Sequence, residues 1–124
     1  MIQTKNFNPD SDKKLICTCG KILCDKRSVS QFVLNKIQLI RDDLNHPLSI
    51  TSGGRCQYHS NELHRTKPAD HQKCQAVDVS VTGGEMRGKL VKLGLAYGFN
   101  AIGIAKSFVH LGYREDCELV MWVY

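Results

Sequence analysis

The chain has 124 residues, 42% hydrophobic and 23% charged, with three prolines and ten glycines, which excludes a disordered or fibrous protein and fits one domain, residues 1–124, with no repeat or linker. Its 17 basic and 12 acidic side chains give a net charge of +5, which favours anionic partners in general. The nearest basic cluster (Lys13, Lys14, Lys21, Lys26 and Arg27) has no interleaved aromatics to stack on bases, so nucleic acid is not the expected partner.

Residues 1–27 look irregular, with Asn-Pro and Asp turns before the cysteine-bearing stretch ICTCGKILC. Ser28-x-x-Gln31 has the form of a capping box opening a helix, whose stripe is Val29, Phe32, Val33, Ile37, Ile40 and Leu44. Asn45-His46-Pro47 ends it. Leu48 to Thr51 is a strand candidate, and the turn Ser52-Gly53-Gly54-Arg55 delivers Arg55 just beyond its end. A short helix is expected over residues 57–66, then a loop from Lys67 to Cys74.

AVDVSV at 76–81 alternates and is β-branched, hence a strand. Thr82-x-x-Glu85 is a second capping box, for a helix with Met86, Leu90, Leu93 and Tyr97 on one face, closed by Gly98. Ala101 to Ala105, Phe108 to Tyr113 and Leu119 to Tyr124 complete a small, mainly antiparallel sheet. Two main helices beside that sheet make an α+β domain.

No apolar run approaches the ~18 residues of a membrane span. The segment MIQTKNFNPDSDKK has no hydrophobic stretch of signal-peptide type, so synthesis in the cytoplasm is expected. In that reducing compartment the six cysteines are more often thiols or metal ligands than disulfides. Cys17-x-Cys19-x4-Cys24 is not a standard zinc-finger spacing; it suits small buried hydrophobes, with a structural metal or a disulfide left open. His46, His59 and His64 are expected in solvent, and Trp122 in the core or on a cleft wall.

Alternation puts Val77, Val79 and Val81 on one face of the 76–81 strand and Ala76, Asp78 and Ser80 on the other. Phe108, His110 and Gly112 likewise share a face. His71 lies in the loop feeding the Asp78 strand. Two histidines and a carboxylate are what an open catalytic zinc site needs, with a position left for water. Cys74, three residues after His71, is near enough in sequence to approach the same metal; a thiolate there would close the shell and make the site structural.

The segments TSGGR (51–55), ADHQKCQAVDV (69–79) and FVHLGYR (108–114), with the aromatic end MWVY, resemble the M15 zinc peptidases of bacterial cell-wall peptides. These are D-alanyl-D-alanine carboxypeptidases and L-alanyl-D-glutamate endopeptidases, on a fold shared with the hedgehog signalling domain. The resemblance spans roughly residues 15 to 124 and is nearest to the small phage and bacterial subgroup. It implies a hedgehog/DD-peptidase-like fold with Zn²⁺ held by His71, Asp78 and His110. Arg55 would hold or polarise the substrate carbonyl or its carboxylate.

The substrate implied is a peptidoglycan stem peptide and the enzyme a monomer, reaching the wall in a phage particle, through a holin-type pore or after lysis, as an endolysin does. The chain departs from the family pattern at Ala69, where a serine is expected, and at Cys74, where a glycine is. The usual acid three residues before the last histidine is Ser107, and the subgroup's His-x-Asp ends here in Gly112. Asp70, Glu62, His64, Glu115 and Asp116 are the remaining base candidates. A catalytically impaired zinc-bearing wall-binding or structural module on the same fold is the alternative.

Overall fold

The computed structural model describes residues 1–124. Helix α1 spans Gln31–Leu44 and α2 spans Gly84–Ala96. Strands β1 (Ile50–Ser52), β2 (Ala76–Ser80), β3 (Ala101–Ile104), β4 (Phe108–Gly112) and β5 (Val120–Val123) form one sheet in the order β1-β2-β4-β3-β5. All neighbours are antiparallel except β3 and β5, which run parallel. The α+β class expected from the sequence is the one observed.

One sheet face is apolar. Val77, Val79, Ile102, Val109 and Leu111 are fully buried there in one core with Val33, Leu34, Ile37 and Ile40 of α1 and Leu90 of α2. Burying such side chains stabilises the fold by about 1.5–3 kcal/mol each. The opposite face carries Asp78 and His110, as alternation requires.

Several local expectations need correction. The α1 cap is Ser30, not Ser28: Ser30 Oγ accepts from Val33 N at 3.2 Å and donates to Gln75 Oε1 at 2.6 Å. Ser28 is instead paired with Ile16 in an isolated antiparallel bridge. Phe32, placed on the buried stripe, is 45% exposed and packs on Tyr113, while Leu34 is buried in its stead. In α2 the Thr82 box does not form, because Gly83 takes the N-cap position with φ +82. Gly98, at φ +93, closes that helix as expected.

No helix forms over residues 57–66. Successive turns bond His59 N to Cys56 O, Glu62 N to His59 O and Arg65 N to Glu62 O. With only three-residue spacing these bonds never propagate into an α-helix. Ion pairs from Glu62 to Arg55 and Arg65 tie the segment down instead.

The N-terminal segment closes over the end of β1. Leu15 O accepts from both Val29 N (3.0 Å) and Gly54 N (3.2 Å). At Gly54 the approach is so close that a Cβ would strike the Arg27 carbonyl oxygen, and its carbon at 2.9 Å. Backbone cannot retreat as a flexible side chain does. Gly54→Ala should therefore destabilise the protein by about 1–3 kcal/mol, read as a lowered denaturation midpoint.

Candidate metal centre

Across the sheet Asp78 stands opposite His110 and His110 opposite Gly103 in antiparallel pairs, and Gly103 beside Trp122 in the parallel one. Four neighbouring strands thus present one row of side chains on the polar face. A Cβ at Gly103 would lie 2.7 Å from Trp122 Nε1 and 2.9 Å from Tyr124 Cε2. Only glycine leaves the indole room to lie over β3 and reach His110, at 5.1 Å between ring centroids. Trp122 is a pocket wall, as one of its two expected places required.

His71 enters this row from the loop before β2. Its Nδ1 lies 2.7 Å from Gly53 O, an acceptor that makes Nδ1 the protonated nitrogen and leaves Nε2 with a free lone pair. That Nε2 faces Asp78 Oδ1 at 3.3 Å, and His110 Nδ1 faces the same oxygen at 3.0 Å. Ligand atoms of His71, Asp78 and His110 lie within 4.8 Å of one another, and all three residues are buried.

The donor set fits a zinc ion: two imidazole nitrogens and one carboxylate oxygen converge, and each imidazole has its outer nitrogen held by a protein acceptor. For His110 that acceptor is Asp70. His110 Nε2 lies 2.9 Å from Asp70 Oδ2, while Arg114 grips the same carboxylate through Nε–Oδ1 at 2.8 Å and Nη2–Oδ2 at 3.2 Å. Burial pushes Asp70 up, but the bonds from His110 and Arg114 outweigh it and hold the group down to about 2. Asp78 is held below the ordinary carboxylate range in the same way, its burial overcome by both histidines. For His110, burial lowers and the two carboxylates raise, with a net shift upward.

Asp70 also accounts for the departure at residue 112. A Cβ on Gly112 would lie 2.9 Å from His110 Nε2 and 3.0 Å from Asp70 Oδ2. Asp70 thus fills the space beside His110 Nε2 that a side chain at residue 112 would otherwise enter. The signal was the pairing of an acid at 70 with a glycine at 112, two features 42 positions apart, which sequence spacing alone does not connect.

Arg55 reaches the cluster from the turn after β1. Its Nη2 lies 3.6 Å from Asp78 Oδ2, its Nη1 3.1 Å from Glu62 Oε2, and its backbone N donates to His71 O at 3.1 Å. Glu62 is buried and also meets Arg65 Nε at 3.1 Å and Gln72 Nε2 at 3.2 Å. Glu62 and Asp70 line a pocket of about 420 Å³ with Arg55, His71, Asp78 and His110. His64, Glu115, Asp116 and Ser107, all exposed, do not line it.

Cys74 is not part of the cluster; its sulfur turns to Gln72 O at 3.9 Å. It stands at φ +62, a left-handed conformation that suits the glycine of the family pattern better than a side chain. His59 is half-buried rather than solvated.

Residues 7–112 match a family model described as Peptidase M15. No curated protein and no solved structure matches the chain.

Cys74→Gly should raise stability by about 1 kcal/mol and leave the metal content unchanged. In metal-free protein the contribution of Asp70, whose value is lowered in the folded state, is fully present above about pH 4 and lost as pH falls through about 2. Denaturation midpoints against pH should fall over that window, and Asp70→Asn should flatten the fall.

Proposed function

Because the chain belongs to the Peptidase M15 family, over residues 7–112, we propose that it is a zinc-dependent peptidase hydrolysing an amide bond in peptidoglycan stem peptides. The observation that carries this reading is the convergence of His71, Asp78 and His110 beside Arg55 in one open pocket. His71 Nε2, Asp78 and His110 Nδ1 would hold the ion. When bound, zinc supplies Lewis-acid polarisation of a carbonyl and makes water acidic enough to attack near neutral pH.

The chain's own residues do the rest. Gly53 O and Asp70 hold the two imidazoles in the tautomer and orientation a cation requires. Arg55 offers its planar fork to the substrate carboxylate or to the negative charge that develops on the carbonyl oxygen. Glu62 and Asp78 hold that fork in place before substrate arrives. Trp122 and Tyr124 wall the pocket and bound the peptide. The positive net charge suits an anionic wall, and delivery by a phage particle or by lysis would bring the protein to it.

A second reading is favoured by one specific observation. Neither acid position of the relatives is filled: Ser107 is exposed, and Gly112 is covered by an Asp70 carboxylate already bound to His110 and Arg114. Glu62 is the pocket carboxylate left to carry a proton, and two arginines hold it. On that reading the same fold binds zinc and wall peptide without cleaving it.

Incubated with zinc and peptidoglycan stem peptides, the protein should release new amino groups. His71→Ala, Asp78→Ala and His110→Ala should each abolish the release, and Arg55→Ala should lower it about 100- to 1,000-fold. Peptide bound but uncut would establish the second reading. Neither binding nor release would overturn both.

A further inference from the structure

A second cluster of metal-type side chains lies outside the pocket. Cys17, Cys19 and Cys24 from the N-terminal segment meet Cys56, with all four sulfurs within 4.8 Å of one another. Cys56 Sγ is 3.6 Å from both Cys17 Sγ and Cys19 Sγ. A tetrahedral zinc with Zn–S bonds of about 2.3 Å sets its four sulfurs about 3.8 Å apart, so these thiols already stand at nearly that spacing. An iron–sulfur cluster, with several metal atoms inside the cage, needs its cysteines much further apart.

We propose that Cys17, Cys19, Cys24 and Cys56 form a structural zinc site, separate from the His71–Asp78–His110 centre. Two observations carry it beside the sulfur spacing. Cys17 and Cys56 are buried, but Cys19 and Cys24 are only half-buried and none of the four belongs to the hydrophobic core cluster, so apolar packing does not account for the group. Residues 18–27 have no regular secondary structure, bury no side chain fully and expose Ile22 and Leu23, so little apolar burial holds them. Ordering such a segment costs about 1–2 kcal/mol per residue in backbone entropy, which the few bonds present do not offset and metal binding does.

The surroundings also suit the charge of the site. Four thiolates around one zinc carry a net charge of −2, and Lys13, Lys21 and Lys26 line the same surface. Lys26 N donates to Cys24 Sγ at 3.4 Å, an amide contact that favours a thiolate. Lys21 Nζ donates to Tyr58 O at 2.9 Å, joining the same two segments a second time. The basic cluster singled out in the sequence thus has a local counter-charge.

The site's role follows from what it joins. Cys56 directly follows Arg55, so closing the four-cysteine site anchors the backbone that carries this arginine, opposite the hydrogen bond to His71 O.

The native full-length protein should contain about two zinc ions per chain. Cys19→Ser, Cys24→Ser and His71→Ala should each retain about one, the cysteine variants losing the structural ion and His71→Ala the other. In the native protein only Cys74 and Cys117 should react with a thiol reagent, and the remaining four only after chelation. Cobalt reconstituted into His71→Ala should give the intense sulfur-to-metal charge-transfer absorption of a thiolate site, a readout that does not depend on the cysteine variants folding. Unchanged zinc in folded Cys19→Ser and Cys24→Ser would overturn the proposal. So would immediate reaction of all six thiols, a disulfide among the four, or iron in place of zinc.

Discussion

The pairing of Asp78 with His110 across β2 and β4 is the constraint on which the rest of the molecule depends. A slip of one residue in that ladder would turn one of the two side chains into the helix-covered core and leave no metal-type cluster. The apolar alternation on the other face prevents the slip. Val77 and Val79 on β2, and Val109 and Leu111 on β4, are all fully buried, and none could face solvent without losing that burial. The core under the sheet therefore sets the geometry above it.

Around that pair the protein spends charge freely, and every charge is answered. Asp70 is bound by His110 and Arg114, Glu62 by Arg55, Arg65 and Gln72, and Asp78 by both histidines and Arg55. No buried polar side-chain atom is left without a hydrogen-bond partner. Breaking one partner of a buried pair costs far more than the pair contributes, because the remaining charge is stranded. The network thus holds Arg55 and the imidazoles in place before any ligand arrives, at the expense of groups free to move protons.

Period-two alternation was enough to read β2 and β4 and to place Asp78 and His110 on the polar face, since burial of one face enforces it. The turn delivering Arg55 was equally legible, its glycines being required by close backbone approach. Ser28 misled because a capping motif states a preference that a nearby serine can satisfy better; Ser30 also bonds to Gln75. The meeting of Cys56 with Cys17, Cys19 and Cys24 was illegible, because the chain between them passes through α1 and β1 before returning. Local spacing carries no information about such closures. The parallel seat of β5 beside β3 was hidden for the same reason.

The contact between Asp70 and the bare backbone at Gly112 ties together two positions far apart in the chain. An acid at 112 and an acid at 70 would compete for the same volume beside His110 Nε2. An acid added at 112 crowds two carboxylates together, while removing Asp70 frees Arg114 to solvent and leaves the imidazole without its acceptor. Each single change therefore disturbs the contacts around His110 Nε2, and the two positions are coupled through that imidazole. Residues 70 and 112, on opposite sides of β2 in the chain, thus act on the centre together, though neither is a residue that the metal itself would touch.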